Sequence, residues 1–397
     1  MHQKKEKILF FGIVLIILIG NTAPIISGLE GNILNNSEKK FDDFDTKIMN
    51  YMKMGKMPSL VCCIIKNNTT VWSNAYGYGD FYKKKQTTID TAYPIASVTK
   101  SITATAIMKI NESGLIGLDD NVSKYLGFDL KNPKYPEVNI TFRMLLAHDS
   151  SIADAIFGYT AIYYILKYPF DKIDEYLLPG GMLYNPLVWN TYMPGTCSWY
   201  STVNTEILGY LITRITNQSY VKYCQDNIFN PLEMYNTSFY FSDYKNEELA
   251  NLYRYLLGFY IPMPRLEGIL AGGGLKTTIS DFSHYLTMLT SRGVYNGVRI
   301  LSEDSVNEMQ SIQYPGHYDE GYLHGFGWYR NDTHGGHGGF AIGGRAEMRM
   351  RYSDRVAVAY FWNQNSFMLL YLDSTPEEQK KATELIENAL FKKADEL

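Results

Sequence analysis

The sequence predicts an α+β fold: one antiparallel sheet assembled from the two ends of the chain, flanked by helices, with a mostly helical lobe inserted between them. Three observations predict it. Apolar, β-rich runs lie near the start, at Pro58–Lys66 and Thr69–Gly77 around Asn67-Asn68, a hairpin signal. Similar runs lie near the end, at Gly325–Arg330, Ala346–Tyr352 and Val356–Trp362. Between about Leu115 and Leu270 the apolar spacing is helical instead, in Ile140–Ala147, Asp154–Lys167, Thr202–Thr216 and Tyr220–Phe229.

In chain order, Lys4, Lys5 and Lys7 precede the apolar run Ile8–Ile19, which is short for a spanning helix. Residues 1–28 are expected to be a signal peptide or an N-terminal membrane anchor, which places the protein outside the cytoplasm. Asn-x-Ser/Thr triplets at Asn67, Asn121, Asn139, Asn217, Asn236 and Asn331 fit that placement. Residues 29–43 read as a linker, and Phe44–Met54 as a helix. Residues 44–397 form the domain, with 44–114 and 271–397 in an α/β lobe and 115–270 in the helical lobe. Helical patterns follow at Ser280–Arg292 and Ser302–Gln310, and Pro376–Leu390 closes the chain as an amphipathic helix.

At 397 residues, 46% of them hydrophobic and 20% charged, the chain can bury a large core. A formal net charge of −4 gives no basis for binding nucleic acid. Four cysteines are too few for a disulfide scaffold. Cys62 and Cys63 are neighbours in an apolar run, so on a strand they face opposite ways and read as core residues. A Cys197–Cys224 bridge is left open. His334-x-x-His337, with His317 and His324 upstream, reads as part of a glycine-rich turn rather than as a metal site. No metal and no organic cofactor is expected.

The stretch with chemistry in it is Pro94-Ile95-Ala96-Ser97-Val98-Thr99-Lys100. It sets a serine at the mouth of a helix whose buried face carries Ile102, Ala106, Ile107 and Ile110. Residues three apart on a helix are neighbours, so Lys100 reaches the Ser97 hydroxyl. Burial disfavours a charged amine, and an amine beside a hydroxyl can then activate it as a nucleophile. Ser-x-x-Lys alone is a weak signal; two more stretches give it meaning. Pro194-Gly195-Thr196-Cys197-Ser198-Trp199-Tyr200-Ser201 puts a tyrosine on a turn leading into a helix. His334-Gly335-Gly336-His337-Gly338-Gly339-Phe340 is rich in glycine, which lets a backbone approach a ligand closely.

Together these pieces resemble the serine β-lactamase and penicillin-binding-protein-like hydrolases, especially those related to class C β-lactamases. The resemblance runs from about Phe44 to the C-terminus. Tyr93-Pro94-Ile95-Ala96-Ser97-Val98-Thr99-Lys100 resembles the nucleophile motif. Met144-Leu145-Leu146-Ala147-His148-Asp149-Ser150-Ser151 is similar to Leu-Leu-x-His-Thr-Ser-Gly. Phe229-Asn230-Pro231-Leu232-Glu233-Met234 and Ala271-Gly272-Gly273-Gly274-Leu275-Lys276-Thr277-Thr278 resemble two further family pieces. His337-Gly338-Gly339, followed by Gly343, is similar to the family's His-x-Gly, with His334 as a rival register.

The resemblance implies a β-lactamase/transpeptidase-like fold and roles for single residues. Ser97 is the nucleophile, Lys100 its activating partner and Tyr200 the second general base. The backbone N–H groups of Ser97 and Phe340 form the oxyanion hole. Thr202, His337, Gly338 and Gly339 line the substrate site, and His148 holds a loop. One departure matters: the family's Tyr-x-Asn reads Tyr200-Ser201-Thr202. Threonine cannot offer a carbonyl and an NH2 group together, which biases the site towards esters. The expected substrate is a small-molecule carboxylic ester or a short peptide, including one with a D-residue. The alternatives are an acylated penicillin-binding-type sensor or a scaffold, with little turnover, and, more remotely, a structural surface protein.

Overall fold

Asn67 and Asn68 fold the first hairpin. Both take left-handed backbone, with φ 52° and 61°, the geometry of a two-residue turn that follows the twist of paired strands and that asparagine tolerates. The computed structural model describes residues 42–154, 172–267, 269–319, 321–365 and 377–397. The expected signal or anchor, nearly all of the linker and most of the helix expected over Asp154–Lys167 lie outside these residues.

The hairpin joins β1 (Ser59–Lys66) to β2 (Thr69–Asp80); then come β3 (Lys85–Gln86), β4 (Ala92–Pro94), β5 (Leu252–Leu256), β6 (Phe259–Met263), β7 (Lys276–Thr278), β8 (Val294–Tyr295) and β9 (Val298–Arg299). The last five strands are β10 (Leu323–Gly325), β11 (Trp328–Arg330), β12 (His334–Ala341), β13 (Gly344–Arg351) and β14 (Ala357–Trp362). One eight-stranded sheet has the order β10-β11-β12-β13-β14-β1-β2-β3, and its strand pairs are antiparallel. The two ends of the chain meet in its middle, where β1 pairs with β14 in the register Leu60↔Trp362 to Ile65↔Ala357.

Alternation along β1 feeds two cores. Val61, Cys63 and Ile65 face the helix Ile279–Thr290 and the large core that also holds the helix Thr99–Glu112. Leu60, Cys62 and Ile64 face the helices Asp43–Met54 and Glu377–Glu396. Cys62 and Cys63 therefore point to opposite faces, both buried, and all four cysteines are free thiols, so Cys197 and Cys224 are not bridged.

Three elements differ from the sequence reading. Gly325–Arg330 is not one strand but the hairpin of β10 and β11, turned at Phe326-Gly327. The glycine-rich stretch His334–Ala341 is a full strand, β12, paired along its whole length with β13. The segment 115–270 holds the helices Ser123–Leu126, Phe142–Leu146, Ile173–Leu177, Thr202–Thr216 and Tyr220–Cys224, but its end is the β5–β6 hairpin, which docks on the sheet lobe. There Tyr253 N–H faces the carbonyls of Gly343 and Asn363 at 3.1 and 3.0 Å. Leu257, with φ 51° at the tip, hides this turn, because leucine is not a residue that signals left-handed backbone.

Candidate active site

Ser97 owes its position to a strained residue before it. Ala96 has φ 45°, a conformation that costs a non-glycine residue on the order of 1–2 kcal/mol. It turns the chain out of β4 into a single tight turn, Ala96–Val98, and so into the helix Thr99–Glu112. Lys100, 1% exposed, donates from Nζ to Ser97 Oγ at 3.2 Å and to the Gly272 carbonyl at 2.6 Å. The turn that holds Gly272 is fastened to the same helix. Thr103 Oγ1 donates to Ala271 O at 2.7 Å, and Leu275 N–H donates to Thr99 Oγ1 at 3.2 Å.

Tyr200 arrives on a different support. Its N–H donates to Asp319 Oδ2 at 2.8 Å. On either side, Trp199 N–H donates to His148 O at 2.8 Å and Ser201 N–H to His148 Nδ1 at 3.4 Å. The helix Thr202–Thr216 starts without a cap from Ser201. Asp154 supplies one from outside, accepting from Ser201 Oγ, Thr202 N–H and Val203 N–H at 2.9, 3.1 and 3.2 Å. A carboxylate there satisfies orphan donors and meets the positive end of the helix dipole. The Tyr200 ring then stands 4.9 Å from Lys100 Nζ, with the rings of His148 at 4.7 Å, Tyr329 at 5.8 Å and His337 at 6.0 Å. Ser97, Lys100 and Tyr200 are thus brought together.

Burial, reinforced by the charge of Lys100 and by neighbouring histidines, holds His148 and His337 well below the ordinary imidazole range. His148 is therefore neutral and serves as an acceptor towards Ser201 N–H, with Asn204 Nδ2 3.2 Å from the same nitrogen. It braces the tyrosine segment. Asp149, fully buried, holds that segment and a neighbouring loop, accepting from Ser198 Oγ and lying 2.8 Å from His317 Nδ1.

The third wall is β12. At Gly339 a Cβ would lie 2.0 Å from Ile95 O and 3.2 Å from Ser97 N, so only glycine lets this strand pass the nucleophile turn. Phe340, the next residue, lines a pocket with Ser97, and Gly338 precedes them on the same strand. His337 is buried, its Nδ1 2.7 Å from the Gly338 carbonyl. His334 sits at the far end of β12, its ring 5.1 Å from that of Phe391 on the closing helix. Gly343 lies in the turn between β12 and β13.

The pocket in front of Ser97 has a mixed wall: Thr202, Lys276 and the Gly272–Gly274 backbone on the polar side, Leu252, Leu266, Ile269 and Phe340 on the apolar side. Among the described residues Thr202 makes no side-chain hydrogen bond to Lys100. Also among them, no group of three or more His, Cys, Asp or Glu side chains is placed to hold a metal ion. Sequence reasoning missed Asp154, Asp319 and Glu206. The first two act across long sequence separations and leave no local pattern. Glu206 had a signal: a carboxylate on a helix between Val203 and Ile207, where both neighbours are core residues.

The sequence model of the Beta-lactamase family matches residues 44–373. Protein flp of Staphylococcus aureus (strain NCTC 8325 / PS 47) is 30% identical over 220 residues, which is 55% of this chain and 41% of flp. The chain thus spans about two fifths of the length of these curated relatives. The octameric penicillin-binding protein homologue from Pyrococcus abyssi superposes with a TM-score of 0.68 at 25% identity, covering 87% of this chain and 77% of that one. EstCE1, a hydrolase with promiscuous acyltransferase activity, superposes at 0.64 with 18% identity, covering 85% and 98%; at that identity the likeness is one of fold alone.

Proposed function

Because the chain belongs to the Beta-lactamase family, whose fold is that of serine hydrolases, we propose that Ser97 attacks the carbonyl of a carboxylic ester or short peptide. The observation that carries this reading is Ser97 Oγ hydrogen-bonded to Lys100 Nζ, with the Tyr200 ring centred 4.9 Å from that nitrogen and Ser97 lining a pocket. The hydroxyl proton passes to the Lys100–Tyr200 pair as the Ser97 Oγ–carbon bond forms. The carbonyl oxygen gathers charge between the N–H groups of Ser97 and Phe340, donors worth on the order of a hundred- to a thousand-fold each. The pair returns the proton to the leaving group, and water then attacks the acyl-enzyme and frees Ser97.

Thr202 gives an amide substrate no side-chain amide to bind, which supports a preference for esters over β-lactams and peptides. The basic flank before Ile8–Ile19 supports export.

The test is hydrolysis of a nitrophenyl ester, a chromogenic cephalosporin and a D-Ala-D-Ala peptide, each beside S97A. Ester turnover lost in S97A is expected. Stable acylation of Ser97 without turnover would replace the hydrolase by a sensor, and faster turnover of the cephalosporin or peptide would overturn the ester preference. A reporter fused after Leu397 should be reachable from outside intact cells; a reporter found only in the cytosol would remove the export claim.

A further inference from the structure

Behind Lys100, away from substrate, lies a group that the reaction above does not use. Glu206 is fully buried on the helix that begins at Thr202. Its Oε1 accepts the Gly272 N–H at 2.6 Å. The carbonyl of that same Gly272 is the 2.6 Å acceptor for Lys100 Nζ. The chain of contacts is therefore Glu206 to Gly272 to Lys100 to Ser97, with every link buried or half-buried. Oε2 of Glu206 is also buried and, among the described residues, within hydrogen-bond geometry of no partner. A buried carboxylate with an unpartnered oxygen is expensive to keep.

The charges that face Glu206 are few. Lys100 comes from the nucleophile helix, and its ammonium favours the carboxylate. Tyr220, from the helix Tyr220–Cys224, is kept a neutral phenol by burial, by Cys224 beside it and, further down, by Glu206 itself. Burial pushes the Glu206 carboxyl up to about 7, against the pull of the Gly272 N–H, of Lys100 and of the Leu270 and Ala271 N–H groups. Both of its protonation states are thus accessible in neutral solution, and linkage makes the coupling to Lys100 reciprocal.

We propose that Glu206 is a positioning residue of this site: it fixes Gly272, and through it Lys100, and its charge sets the acidity at which the Lys100–Tyr200 pair can take the proton of Ser97. The inference rests on the reading of Ser97 as nucleophile. Glu206 touches neither substrate nor Ser97, so its effect belongs in the rate of acylation and not in the pocket.

Two variants separate position from charge. E206Q keeps an acceptor for Gly272 N–H and removes the charge; E206L removes both. The readout is the rate at which a fluorophosphonate probe labels Ser97 in the full chain, followed from pH 5 to 10, with KM for a nitrophenyl ester alongside. E206Q should shift the rising limb of the profile to lower pH by about one unit, the low end for loss of a neighbouring opposite charge, with KM unchanged. E206L should be slower by roughly tenfold at every pH, as expected when a catalytic group loses its alignment. An E206Q profile that superimposes on wild type overturns the inference and leaves the hydrolase reading intact. Wild-type protein that is not labelled at Ser97 overturns both.

Discussion

The two arms of the site are built in opposite ways. Ser97 and Lys100 sit three residues apart on one helix, and their supports, Thr99, Thr103 and Gly272, pack directly around that helix. Tyr200 lies on an irregular segment hung from His148, Asp154 and Asp319, which are 52, 46 and 119 residues away. In the first arm local helix geometry sets the Ser97–Lys100 spacing, and neutral hydrogen bonds to the turn Ala271–Leu275, 168 to 176 residues away, fix the helix. The second is held by hydrogen bonds to carboxylates and an imidazole, whose strength depends on charge.

The largest test removes the point where the arms meet. S97A should lower ester hydrolysis by on the order of 10^4- to 10^6-fold, the range for loss of a nucleophile, with the unfolding midpoint little changed. Next, K100A and Y200F should each cost at least roughly a hundred-fold in kcat/KM. If the arms act as a unit, the double variant is little worse than the poorer single one; losses that multiply fully would mean two independent groups.

A smaller effect should strike one arm alone. D154A uncaps the helix that starts at Thr202. It should cost about 0.5–2 kcal/mol in urea unfolding and lower kcat roughly tenfold through a displaced Tyr200. The rate of Ser97 labelling by a reagent that needs no leaving-group protonation should fall less. Equal losses in both assays would mean that the arms are not mechanically separate.

A further effect is one of pH, and groups on the two sides contribute with opposite sign. His148 and His337, beside Tyr200, stay neutral when folded but titrate near 6.5 when unfolded. Below that pH the unfolded chain binds the extra protons, so these residues destabilise the fold as pH falls. Glu206, behind Lys100, titrates at about 7 folded against 4.5 unfolded. Between those values the folded chain holds the extra proton, which stabilises the fold as pH falls. In E206Q that opposing group is gone, so between pH 6.5 and 4.5 the loss of stability with falling pH should be steeper than in wild type by about 1.4 kcal/mol per unit. Urea midpoints across this range, read for both proteins, would show an unchanged slope if Glu206 did not titrate there.

The same division explains what was legible in the sequence. Asn67-Asn68, the helix Thr202–Thr216 and the Ser97–Lys100 pair are local, and periodicity or spacing announces them. The opposed faces of Cys62 and Cys63 follow from strand alternation alone. The strand β12 was hidden because its glycines, needed where it passes Ile95, carry no β signal. Asp154, Asp319 and Glu206 were hidden because their partners are set by tertiary packing, which no short window of sequence contains.

The pairing of β1 with β14 has a consequence for how the chain is made. Ser59 N–H bonds to Asn363 Oδ1 across 304 positions. At a ribosome adding roughly 5–20 residues per second, Ser59 is made about 15–60 s before Asn363. During that interval the open edge of β1 is Ser59-Leu60-Val61-Cys62-Cys63-Ile64-Ile65, a run buried at every position in the finished fold. An uncharged edge of that kind is a template for pairing with another nascent chain. The strand that makes β1 safe is therefore one made about 300 residues after it, and until then the protection of that edge must come from elsewhere.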